Sequence, residues 1–165
     1  MAVSTGVLKM HLDYSAWASG RLVAAAAALS KEELNRDWKT ADRSVLGTLV
    51  HIFGADRLWL ARMQELPNPV YTTERDYDLA VLETEWPALH ARWQVWAAGL
   101  TPDRTVHELA YRDMKGRPWQ MPVWQLILHV VNHASHHRGQ VSGFLRALGH
   151  TPPPLDLVLY YREMR

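Results

Sequence analysis

Apolar positions recur along this chain at helical spacing, in long stretches separated by proline, glycine and polar clusters. From about Leu8 to Leu29, Leu8, Leu12 and Leu22 stand among strong helix formers, including Ala24 to Ala28, which predicts a first helix. Ser30 to Arg43 is polar and reads as a connection, opening on Ser30-Lys31-Glu32-Glu33, a capping-box pattern able to start one short turn. A second helix is predicted from Ser44 to about Leu66, apolar nearly all round, and it stops at Pro67-Asn68-Pro69 because proline offers no amide to continue the ladder. A third runs from about Tyr77 to Gly99, with Pro87 as a potential kink and Gly99 followed by Pro102 as its stop.

The period changes between Thr105 and Met121. There Val106, Leu109, Tyr111, Trp119 and Met121 surround the turn-like tetrad Met114-Lys115-Gly116-Arg117, which predicts a small hairpin. Pro122 then introduces a long fourth helix, about Val123 to Leu148, closed by Gly149. Beyond Thr151-Pro152-Pro153-Pro154, a short helix over Leu155 to Met164 is expected to lay Leu155, Val158 and Leu159 on the rest. With no internal repeat or low-complexity linker, the reading is an all-α bundle forming a single domain over residues 1–165.

Composition narrows the function classes. A chain of 165 residues can bury a core without disulfides or a structural metal, and 48% hydrophobic against 21% charged residues is a globular balance. Its 18 basic and 17 acidic residues are scattered, so no basic stripe exists to meet a phosphate backbone and a nucleic-acid partner is not expected. Met1 to Lys9 lacks the pattern of a secretory leader, and no apolar run reaches the roughly 18 residues of a membrane span; a cytoplasmic protein without a membrane partner is expected. Cysteine is absent, which removes disulfides, thiolate ligands and a cysteine nucleophile, so any thiol chemistry must use a thiol from outside. The eight tryptophans (Trp17, Trp38, Trp59, Trp86, Trp93, Trp96, Trp119 and Trp124) read as packing between helices.

The histidines carry more. Four fall within nine residues of the fourth helix: His129, His133, His136 and His137. At 100° per residue, with His129 as zero, His133 lies at about 40°, His137 at about 80° and His136 at about 340°, while Leu126, Val130, Val141, Phe144, Leu145 and Leu148 centre the apolar face near about 100°. His137 is thus inside the apolar face and His133 at its edge. His129 and His136 lie further round, toward solvent, a flanking helix or a hydrogen-bond partner. Two inward imidazoles at i and i+4 can chelate one ion. Buried without partners they would cost roughly 1–3 kcal/mol each. A third nitrogen must come from another helix, and His51, within Leu49-Val50-His51-Ile52-Phe53, is the candidate, although the apolar surroundings do not orient it. The competing reading is of hydrogen-bonded core histidines. Arg138 reads as a solvated or ion-paired helix residue, with an anionic substrate as the alternative partner.

Several segments together resemble the DinB/YfiT-like superfamily. His133-Ala134-Ser135-His136-His137-Arg138-Gly139-Gln140, preceded by Leu128-His129-Val130-Val131-Asn132, is similar to its last bundle helix. Gly47-Thr48-Leu49-Val50-His51-Ile52, with Ala55-Asp56 and Trp59-Leu60, is similar to its second, Tyr14 to Arg21 to its first, and Pro154 to Leu157 with Tyr160 to Glu163 to its C-terminus. The resemblance implies a four-helix bundle, often a homodimer, with one divalent metal ion on one histidine of the second helix and two of the last. The matching positions are His51, His133 and His137. The family label refers to DNA-damage inducibility and implies no DNA binding. Zinc and nickel head the candidate ions, with iron and manganese compatible.

Three neutral imidazoles leave a tetrahedral ion one open position. Water there would make a hydrolase. A low-molecular-weight thiol held as metal-bound thiolate would make a transferase or isomerase acting on a small-molecule substrate. Relatives that use bacillithiol, mycothiol or glutathione favour the thiol route by resemblance alone, since the sequence contains no thiol-binding motif. A non-enzymatic metal-binding protein of the stress response is the third reading. The sequence names no catalytic acid or base.

Overall fold

In the computed structural model, which describes residues 3–165, the chain runs through α1 (Thr5–Ala26), α2 (Lys31–Asn35), α3 (Val45–Met63), a 3-10 turn (Glu74–Tyr77), α4 (Leu79–Ala98), α5 (Pro102–Val106), β1 (Glu108–Arg112), β2 (Pro118–Pro122), α6 (Val123–Ala147) and α7 (Leu157–Glu163). Met1 and Ala2, part of the expected domain and of the segment read for a leader, lie outside the described residues. The fold is all-α apart from one hairpin before the last long helix. Helices α1, α3, α4 and α6 make the four-helix bundle, with α4 and α6 each packed against both α1 and α3. Among the described residues no helix is long and apolar enough to cross a membrane.

Local chemistry sets the ends. Ser30 caps α2 through the reciprocal box with Glu33, satisfying two amides that a helix start leaves open. Ser44 Oγ accepts from the Gly47 amide to start α3, and Asp78 accepts from Ala80 to start α4, which continues through Pro87 as one element. α6 ends in a Schellman arrangement: the His150 amide donates to Leu145 O, that of Gly149 to Arg146 O, and Gly149 takes φ +87°. Only glycine adopts that conformation without strain.

The core joins Leu8, Leu22, Leu49, Ile52, Phe53, Trp86, Leu126 and Ile127, all nearly sealed from solvent. α3 is buried on most of its circumference because α4, α6, α2 and the segment after it all cover it. In the hairpin, Leu109 pairs with Met121 and Tyr111 with Trp119. Asp113 holds its loop by accepting from the Lys115 and Arg117 amides, and Gly116 takes φ +78°.

Three expectations need correction. Trp119 is 48% exposed, because it stands at the loop end of the hairpin, where its indole N–H donates to Asp113 instead of packing between helices. Val158 is 53% exposed, and α7 instead buries Tyr160 against Tyr14 and Trp17. The 3-10 turn forms between the second and third predicted helices and α5 at the stop of the third, where no element is predicted. The segment from Tyr71 to Asp76 is tied to α3 by Arg57, which donates to Tyr71 O (2.7 Å) and to both Asp76 carboxylate oxygens (2.5 and 3.2 Å).

Candidate metal centre

α3 and α6 are neighbours in the bundle, and their contact brings three imidazoles to one point. His133 and His137, one turn apart on α6, have ring centroids 4.5 Å apart; His51 on α3 lies 4.8 Å from the first and 4.2 Å from the second. One nitrogen of each ring lies within 4.8 Å of the others. His51 Nε2 and His133 Nε2 are 2.9 Å apart. All three rings are partly buried, and His51 lines a cleft of about 370 Å³ whose walls include Asp37, Asp42, Arg43, Tyr71 and Tyr77.

The far nitrogens are engaged from behind. Asp42 places one carboxylate oxygen 3.2 Å from His51 Nδ1 and the other 3.6 Å from His137 Nδ1. Tyr71 OH lies 2.6 Å from His51 Nδ1, and Gln140 Oε1 lies 2.7 Å from His137 Nδ1. A carboxylate only accepts, so Asp42 favours the tautomer with the proton on Nδ1, which leaves Nε2 as a bare donor atom. Burial is the main force lowering the His51 pKa; Asp42 opposes it and a charge on His137 adds to it. Burial, with His137 and His51 next, pushes His133 down to about 4, so that ring is neutral at physiological pH. Burial, with Asp42 and Tyr77 behind it, pushes Tyr71 up to about 12, so it remains a phenol. A neutral His133, together with second partners on the outer nitrogens of His51 and His137, suits these rings as ligands of a divalent ion. The cluster could hold a metal ion.

Sequence comparison places the whole chain. The model of the DinB family matches residues 1–164. The chain belongs to the DinB family. It is 22% identical over 160 residues to Protein DinB of Bacillus subtilis (strain 168), covering 90% of each chain. A crystal structure of a DinB-like protein from Bacillus cereus ATCC 10987 shares its fold, with a TM-score of 0.57 at 19% identity over 86% of this chain and 91% of that one.

Within this DinB-family bundle the structure brings together His51, His133 and His137, and leaves the other two histidines of α6 outside. His129 packs edge-on against Trp59 with centroids 5.3 Å apart, and His136 is exposed beside His137. Arg138 is a correction: it is neither solvated nor ion-paired but 1% exposed, donating to Ser15, Ser19 and Ser135. The angular count already places it at about 180°, only about 20° from Leu145, so its charge misled where its position did not. Asp42 and Tyr71 had no signal in the sequence, since both lie in segments without periodicity. Gln140 sat in the motif, three residues beyond His137, a spacing that puts it over the same ring.

Proposed function

We propose that the protein binds one divalent metal ion through His51, His133 and His137, and that it is a metal-dependent transferase or isomerase acting with a low-molecular-weight thiol. The observation that carries the reading is the convergence of three imidazoles from two helices, one of which, His51, lines an open cleft. A divalent ion bound there supplies a Lewis acid that keeps a small thiol deprotonated and nucleophilic at neutral pH. His51, His133 and His137 hold it. Asp42 fixes the ring tautomers from behind, and the cleft beside His51 admits a small-molecule substrate while the bundle covers the opposite side. The chain has no cysteine, so the thiol is a second substrate. Zinc and nickel suit the ligand set best.

Elemental analysis of protein purified without a nickel column is expected to find one divalent ion per chain, lost in His51→Ala and His137→Ala. The metal-loaded protein is then expected to conjugate a cellular thiol to an electrophile. Hydrolysis without thiol would favour the hydrolase reading. Metal binding with neither activity would leave a non-enzymatic role.

A further inference from the structure

On the opposite side of α6 from the histidines, a cleft of about 540 Å³ lies between α1, α6 and the segment Thr151–Asp156. Arg138 is in its wall. Arg138 follows His137 directly in the chain, but one residue turns the helix by about 100° and takes the side chain away from the metal centre. The residue is 1% exposed, and the hydrogen bonds of its guanidinium all go to uncharged groups: Ser15 Oγ at 3.0 Å, Ser15 O at 3.4 Å, Ser19 Oγ at 3.3 Å and Ser135 Oγ at 2.9 Å. The ring of Tyr14 stands 5.3 Å from the charge. The nearest carboxylate influence, from Asp56, acts at a distance and without a hydrogen bond.

A buried guanidinium ordinarily has a carboxylate or phosphate within reach, because removal of a full charge from water is offset only by an opposite charge and good hydrogen bonds. Here the protein supplies neutral oxygens alone, and an open cleft lies beside the group. The remaining lining fits an anion with an apolar body. Arg146 adds a second positive charge against the single carboxylate of Asp156, Ser142 and Thr151 add hydroxyls, and Pro152, Pro153 and Leu155 form an apolar wall. Tyr14 OH donates to Leu155 O at 2.8 Å and holds that wall in place.

We propose that this cleft binds a small organic anion, a carboxylate or a phosphate ester, whose oxyanion faces Arg138 and Arg146 and whose apolar part rests on the proline segment. The planar fork of arginine matches either headgroup. The site is independent of the metal reading.

Calorimetric titration of the purified protein with benzoate, phenyl phosphate and the neutral isostere benzamide tests it. Saturable binding of one equivalent is expected for an anion, with benzamide not binding. The stronger of the two anions identifies the headgroup. Ser142→Leu, which fills the cleft and leaves both arginines, is expected to abolish binding, and Arg146→Ala to weaken it about fivefold, as loss of a solvent-screened charge contact does. Arg138→Met should abolish it too, and Ser142→Leu keeps the test decisive if that variant fails to fold. Prior removal of metal with a chelator is expected to change nothing. Equal binding of benzamide, or no binding of either anion, overturns the proposal. So does binding that disappears with the chelator while Ser142→Leu leaves it intact, since the anion would then sit at the histidines.

Discussion

At His51, two side chains from outside the bundle meet one ring nitrogen: Asp42 at 3.2 Å and Tyr71 OH at 2.6 Å from Nδ1. Asp42 also reaches toward His137, so one carboxylate orients rings on both α3 and α6. Partners of this kind typically contribute 10- to 100-fold in metal affinity. Asp42→Asn should therefore weaken zinc binding by about 10- to 100-fold in a competition titration with a chromophoric chelator, and Tyr71→Phe by less, since Asp42 still accepts from the same nitrogen. Unchanged affinity in Asp42→Asn would remove the orienting role. At this scale the sequence was half legible. His133 and His137 could be oriented because their neighbours in the last long helix alternate between apolar and polar with a clear period. His51 could not, because α3 is buried nearly all round and no face of it is marked as different. Asp42 was invisible, since a carboxylate in a polar connection carries no sign of which helix it will fold back on.

Among the elements, α3 is the one that other segments lie against, and glycine decides where. Gly47 and Gly54, four residues before and three after His51, fall on the same face as that histidine. A methyl group at Gly47 would run into the Asp42 carbonyl oxygen; one at Gly54 would come within 2.5 Å of Thr72 Cγ2 and 2.9 Å of Tyr71 O. Bare backbone thus lets both flanking segments approach closely enough to reach the ring. Gly47→Ala gains about 1 kcal/mol of helix propensity but loses about 1–3 kcal/mol to a clash with backbone that cannot swing aside. A net loss of stability with weaker metal binding is expected. Gly20→Ala, with nothing within 4 Å, should instead raise the melting temperature. The segment carrying Tyr71 is held by Arg57 and Asp76. Burial alone would raise the Asp76 carboxyl, but hydrogen bonds from Arg57 and the Thr73 amide outweigh it and hold it below its usual value. A depressed folded-state value means that the stabilisation is full above the unfolded value near 3.8 and is lost as pH falls through the folded one. The gap in unfolding free energy between wild type and Asp76→Asn, roughly 1–3 kcal/mol at pH 7, should close in acid below about pH 4. A gap independent of pH would mean that Asp76 acts through packing alone. Long helices and the hairpin were legible because period and turn residues are local. The 3-10 turn was not, since what fixes it is a contact with Arg57 in another element. Thr101-Pro102 did hold a helix start, with Thr101 Oγ1 capping Arg104, but it reads equally as the stop of the helix before it.

For the molecule as a whole, the question is whether an ion bound at the proposed centre would hold the bundle together or only occupy it. The interior argues for occupation. The fully buried side chains of all four long helices, from Leu8 and Leu22 through Leu49 and Ile52 to Trp86, Leu126 and Ile127, pack without reference to the histidines, which are only partly buried. A chain of this length buries enough apolar surface to fold without a metal staple. Chelation at 25 °C should therefore leave the helical circular-dichroism signal intact. Binding still adds stability by mass action, since the unfolded chain cannot present three converging imidazoles from α3 and α6. At free metal about 1,000 times the dissociation constant, the gain is about 4 kcal/mol, which for a domain near this size raises the melting temperature by roughly 8–16 °C. That increment should grow with the logarithm of metal concentration and vanish in His133→Ala, whose own melting temperature should match that of the chelated wild type within a few degrees. Loss of helix on chelation would show instead that the ion is part of the fold, and the case for a reactive centre at these three histidines would then lose its physical footing.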